Sequence, residues 1–297
     1  MKTQLQRVLI GRRRSIVLGA AALIGLLQTS ATAQTDKARA EQAAKLFQSI
    51  QWQVGPATAA VGGVAEIKVP AGYQFTGPAG AAKLLEASGN PPDPSIVGAM
   101  IPLTPPIWFL TFDYQDIGHV ADDEKSQLSG LADSLLQTIR EGTENGNAYR
   151  RSKGVPEMTI TGWITPPQYD EASNNLVWAF GASSKDGQEA NYDTRILGRT
   201  GVMSVKLAAG ANELKAAIPT IKGLLTNFQY KPGQKYSEVR AGDKIAQYGL
   251  TGLITGGVIL AAAKSGLLVK FWKLIVVGGA ALFGGIWRAL TGKSKTS

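Results

Sequence analysis

Apolar positions along this chain fall into stretches of period two and stretches of period three to four, separated by turns rich in glycine and proline. In "VAEIKVP", Ala65, Ile67 and Val69 lie on one side and Glu66 and Lys68 on the other, the alternation of a strand with one wet face. "VGAMIPL" and "IWFLTFDYQ" predict two further strands across "TPP". "MTITGWIT", "NNLVWAFGAS", "EANYDTRILGR" and "VMSVKLAA" predict four more in succession, joined by turns at "PPQYDEASN", "SKDGQ" and "RTG". In the last, Met203, Val205 and Leu207 face one way and Ser204 and Lys206 the other. The glycines of "LGRTG" suit a tight turn with positive φ. Four strands without an intervening helix imply an antiparallel meander.

Helical spacing appears four times. "TDKARAEQAAKLFQSI" carries Ala40, Ala44, Phe47 and Ile50 on one face, and "GPAGAAKLLEASGN" predicts a short helix closed by Gly89. The strongest helix runs from about Asp122 to Lys153, with Leu128, Leu131, Leu135, Leu136 and Ile139 in one stripe. Asp122, Asp123 and Glu124 suit its positive end, Arg150 and Arg151 its negative end, and Gly142 and Gly146 are candidate breaks. "ANELKAAIPTIKGLLTNF" closes the domain, with Pro219 as a kink or a second start. The predicted fold class is α+β: a twisted antiparallel sheet with helices packed on one face.

Both ends are apolar without either period. "MKTQLQRVLIGRRRS" is a basic lead into the apolar "IVLGAAALIGLLQTS", and "ATA" before Gln34 fits a signal-peptidase site with cleavage between Ala33 and Gln34. Residues 245–263 carry no charge until Lys264, which is long enough to reach across a bilayer core. Residues 274–287 form a second, shorter apolar run. Between them "KSGLLVKFWK" holds three lysines beside Phe271 and Trp272, residues suited to the headgroup layer. Gly252 with Gly256 and Ala281 with Gly285 place small residues four apart, the spacing that lets helices approach in lipid. A C-terminal transmembrane helical hairpin is the expectation; one span with an interfacial helix, or a soluble apolar hairpin, are the alternatives. The predicted organisation is a signal peptide at 1–33, a short helix and linker at 34–50, an exported domain at 51–235, and a membrane anchor with a basic tail at 236–297.

Charge placement refines this picture. Of the net charge of +9, residues 1–33 hold +5 and 264–297 hold +6, which leaves −2 for everything between. A domain without net basicity argues against nucleic acid as partner. With no cysteine, thiol nucleophiles, thiolate metal sites and disulfides are excluded. The lone histidine, His119 in "DYQDIGHVADDE", lies among acids, but isoleucine at a liganding offset spoils a calcium loop, and no Ser-His-Asp, Walker or dinucleotide pattern is present. No catalytic, cofactor or metal residue is assigned. Trp163, Tyr169, Trp178 and Arg195, with Tyr192 nearby, form a candidate groove for peptide, glycan or lipid, or else core and cross-strand pairs.

"WFLTFDYQDIGHVADDE", "EGTENGNAYRRSKGVPEMTITGWITPPQYDEASNNLVWAF", "NYDTRILGRTGVM" and "KIAQYGLTGLITGGVILAAAKSG" together resemble a bacterial family of membrane-anchored proteins, domain of unknown function 2167, from about Trp52 to the C-terminus. The resemblance implies an exported domain with a C-terminal anchor and no established activity, so it carries over no functional residues. The order of elements is also similar to the photosystem-associated and Mog1-like α/β sandwich domains, a likeness of fold without functional content. The expected role is a non-catalytic binding domain on the periplasmic face of a Gram-negative inner membrane, with an envelope protein, polymer or lipid as partner. A membrane-bound hydrolase or metal-dependent enzyme, and an accessory subunit of a transporter or assembly machine, are the alternatives.

Overall fold

The structure, a computed structural model, describes residues 41–88, 93–106, 108–152, 156–185 and 187–255. Residues 41–48 are helical (α1); the first five belong to a separate compact unit, and all the other elements lie in the unit that starts at Leu46. Its elements are β1 (Gln53–Val54), β2 (Ala57–Val61), β3 (Ala65–Val69), β4 (Tyr73–Thr76), α2 (Pro78–Ala87), β5 (Ile96–Pro102), β6 (Phe109–Gln115) and α3 (Leu128–Ser152). Then come β7 (Thr159–Asp170), β8 (Asn175–Ser184), β9 (Gly187–Leu197), β10 (Val202–Gly210), α4 (Ala211–Leu225), β11 (Phe228–Tyr230) and α5 (Leu250–Thr255).

Eight strands form one sheet in the order β1-β4-β5-β6-β10-β9-β8-β7, and β11-β3-β2 form a second. Every paired neighbour is antiparallel. The meander of β7 to β10 is present as its sequence predicts, and so is the α+β class. Helices, however, occupy both faces of the large sheet rather than one. On one face α4 and the small sheet enclose Met203, Val205 and Leu207 of β10 together with Leu110 and Phe112 of β6. On the other, Leu128, Leu135 and Leu136 of α3 and Leu250, Leu253 and Ile254 of α5 pack over Leu176, Trp178 and Phe180 of β8. On this second face α2 covers the β5 end, with Leu84 and Leu85 against Ala99, Ile101 and Phe109. β8 carries apolar side chains on both sides, so a single layer of helices leaves one set in water.

Several local predictions are corrected. α3 starts at Leu128, with Lys125–Gln127 as a 3₁₀ turn ahead of it, so Asp122, Asp123 and Glu124 precede the helix instead of lining its first turn. It runs unbroken through Gly142 and Gly146. Asn147 ties it to the strand beyond, donating to the Met158 carbonyl (2.9 Å) and accepting from the Met158 N–H (2.9 Å). α4 likewise continues through Pro219. β7 absorbs Pro166 and Pro167, which the sequence assigns to a turn. It is an edge strand, where proline is tolerated, and its register to β8 shifts between Thr165 and Gln168. Gly198 and Gly201 are not among the glycines of positive φ. Their need is space: a Cβ on Gly201 would collide with the Gln115 carbonyl oxygen, and one on Gly198 would come within 2.7 Å of the Tyr230 ring.

Candidate functional site

The four candidate groove residues share one face of the large sheet, the α3 face. Trp163 of β7 is opposite Phe180 of β8, and its indole N–H donates to the Ala132 carbonyl of α3 at 3.0 Å. Tyr169 is half-buried at the same edge, its hydroxyl donating to Asn174 at 3.3 Å; burial, and next the Asp122 carboxylate, hold the phenol protonated. Trp178 is 2% exposed and Arg195 4%. The guanidinium lies 4.7 Å from the centre of the Trp178 ring and 3.0 Å from Asp193 Oδ1. Trp163, Trp178 and Arg195 are therefore brought together under α3 and α5 and not along an open groove, while Tyr169, at the β7 edge, also lines an open cavity on the other side of the sheet.

Beside them is a polar patch that the sequence does not announce. β6, β10 and β9 set Asp113, Ser204 and Arg195 in one cross-strand row and Thr111, Lys206 and Asp193 in the next. All six are buried. Lys206 Nζ is 3.8 Å from Asp113 Oδ2, which also accepts from the Gln115 side-chain amide at 3.2 Å. Thr111 Oγ1, Ser204 Oγ and Asp113 Oδ1 are closed off from solvent without a hydrogen-bond partner among the described residues. Burial pushes the Lys206 ammonium down in pKa and Arg195 adds to the effect, while Asp113 and Asp193 oppose it.

The opposite face, the α4 face, holds an open cavity of about 610 Å³, a size typical of ligand sites. It lies between β7, β8 and β9 on one side and the last turn of α4 with the start of β11 on the other. Register explains its lining: Asn175 is opposite Ile196, and Val177 is opposite Thr194, so all four side chains project to this face together with Tyr192. Val177, Ile196, Leu225 and Phe228 give it apolar walls. Asn175, Tyr192 and Thr194 line it as well, and each carries a solvent-shielded polar atom with no hydrogen-bond partner among the described residues: Asn175 Oδ1, Tyr192 OH and Thr194 Oγ1. Burial raises the Tyr192 pKa, so the phenol keeps its proton; the Thr194 hydroxyl, close by but outside hydrogen-bonding geometry, opposes the rise in part. Lys222 and Asp170 also line the cavity. The Asp170 carboxylate is engaged locally by the Ser173 hydroxyl (2.7 Å) and the Ala172 N–H (3.0 Å), contacts that hold its pKa below the usual range.

His119 has a structural setting. Its backbone bridges the 244–246 segment, receiving from the Ala246 N–H and donating to the Lys244 carbonyl, both at 2.8 Å, and its ring stacks on Tyr236 with centroids 4.4 Å apart. Gly118, at φ +98°, permits that approach, since a Cβ there would come within 2.6 Å of the Lys244 carbonyl oxygen. Among the described residues no group of three or more His, Asp or Glu side chains is placed to hold a metal ion. Nor is any helix among them long and apolar enough to cross a membrane. Of the anchor-packing residues, Gly252 lies in α5, where it makes room for the Tyr248 side chain; an added Cβ would come within 2.6 Å of Tyr248 Cβ. Gly256, Ala281 and Gly285, like Ala33 and Gln34 at the expected cleavage site, lie outside the described residues.

Comparison with known proteins adds a family and a similar solved structure. A family model described as a protein of unknown function (DUF2167) matches residues 53–286. No curated protein matches the chain. Among solved structures the chain is similar to the solution structure of cyanobacterial PsbP (CyanoP) from Synechocystis sp. PCC 6803, at 10% identity and a TM-score of 0.37, over 62% of this chain and 93% of that one.

Proposed function

The chain belongs to the DUF2167 family of proteins of unknown function, and from that premise we propose that it is a ligand-binding domain held on the periplasmic face of a bacterial inner membrane. The observation that carries the binding role is the cavity of about 610 Å³ on the α4 face, lined by three residues with unpartnered buried polar atoms. Such atoms are costly while they lack a partner, and a bound molecule supplies one. Two hydroxyls and an amide offer a ligand neutral hydrogen-bonding partners, and the Asp170 carboxylate beside them is engaged by Ser173.

The tether rests on the two ends of the sequence. The basic and apolar leader before Gln34 supports export, and the apolar runs at 245–263 and 274–287 support an anchor. α5 seats Leu250, Leu253 and Ile254 in the core of the domain, which leaves residues 256–263 of the first run, about 12 Å as a helix, too short to cross on their own. The proposed anchor therefore lies beyond α5 and rests chiefly on the run at 274–287, extended by Phe271 and Trp272 and flanked by Lys270, Lys273 and Arg288. Protease added to intact spheroplasts tests the orientation: the domain is expected to be digested there and protected in inverted vesicles. Protection in spheroplasts overturns the proposal.

A further inference from the structure

The chemistry of the cavity narrows its ligand. Asn175 Oδ1 accepts only, so the ligand must bring a donor to it; the Tyr192 and Thr194 hydroxyls both donate and accept. None of these three groups is charged. The two charged residues of the lining, Lys222 and Asp170, are exposed to water and Asp170 is tied to Ser173, so an anion or cation seated against the three buried groups would be desolvated without a buried counter-ion, which is strongly unfavourable. A hydrocarbon chain fails for the opposite reason, since it leaves all three atoms unpaired. An extended peptide gains most from a free strand edge; the free edge beside the cavity is that of β7, whereas Tyr192 and Thr194 stand on the face of β9, which β8 and β10 pair on both sides. What remains is a compact, uncharged molecule with hydroxyl groups on one side and C–H groups on the other. Val177, Ile196, Leu225 and Phe228 are apolar surfaces for the second side.

Resting on the reading of this cavity as a binding site, we propose that it takes an uncharged saccharide unit, its hydroxyls on Asn175, Tyr192 and Thr194 and its ring face against Phe228 and Leu225. Thr194→Val separates this role from a structural one. Replacing an unpartnered buried hydroxyl by a methyl of the same shape relieves a desolvation cost in the free protein, so it holds or raises the melting temperature. It also removes a hydrogen bond from the complex, so it weakens binding by up to about tenfold.

The experiment uses the full chain in a sugar-free amine-oxide detergent, with saturation-transfer NMR and titration against N,N′-diacetylchitobiose, maltose, trialanine and octanoate. Binding of at least one disaccharide is expected, weakened by Thr194→Val and by Tyr192→Phe while the melting temperature of Thr194→Val does not fall. Binding of trialanine or octanoate but neither disaccharide overturns the ligand class and leaves the binding role standing. No binding by any of the four overturns the saccharide assignment and removes the support for the binding role as well. Disaccharide binding indifferent to both substitutions overturns the site.

Discussion

Lys206 and Asp113 face one another across β10 and β6 at 3.8 Å, both buried, with Ser204 and Thr111 completing the square. Two opposite charges in low dielectric repay their desolvation poorly at that separation, yet removing one strands the other. Lys206→Met alone is expected to lower stability by about 3 kcal/mol in urea unfolding, and Asp113→Val with Lys206→Met to return within about 1 kcal/mol of the parent. Losses that simply add would contradict a coupled pair. The patch also explains what the sequence conceals at this scale. Alternation in "VMSVKLAA" correctly puts Ser204 and Lys206 opposite Met203, Val205 and Leu207, but a polar residue on a strand reads as solvent-facing. Here that side is covered, and nothing local marks it. The same holds for Trp178 and Arg195, whose identities suggest a site and whose setting is a stacked pair in the interior.

At the scale of elements, α5 shows how a segment that reads as membrane can serve the fold. Its Leu250, Leu253 and Ile254 are buried against the core beneath α3, and its N-terminal end is capped from a distance by Glu124, whose carboxylate accepts the Thr251 N–H at 2.8 Å. Leu253→Ala is expected to cost about 3 kcal/mol and Glu124→Ala about 1 kcal/mol in denaturant unfolding. A neutral Leu253→Ala would show that α5 is not part of the domain. Glu124 reads in sequence as an acid for the helix just after it, because capping is ordinarily local. Its actual partner is 127 residues away. Strong periodic elements such as α3 and the meander were legible. The extension of β7 through Pro166 and Pro167 was not, since proline forbids a central strand and only the sheet order reveals β7 as an edge.

For the whole molecule, class and meander follow from pattern, whereas the two-sided cover and the cavity follow from topology. Asn175 and Val177 meet Ile196 and Thr194 only through the register of β8 with β9, and the cavity closes only because α4 and β11 come back across that face. The sequence places Tyr192 near Arg195, three residues apart; the odd spacing puts them on opposite faces, the first toward the cavity and the second beneath α3. The proposed export and anchoring rest on the ends of the chain: the leader before Gln34 and the apolar residues beyond α5 are the parts expected to enter lipid, with a folded body of nearly neutral charge in water beside them. Alkaline carbonate extraction of the cell envelope tests that division directly. The mature protein is expected to remain in the membrane pellet; its release into the supernatant with peripheral proteins would contradict a lipid-embedded anchor.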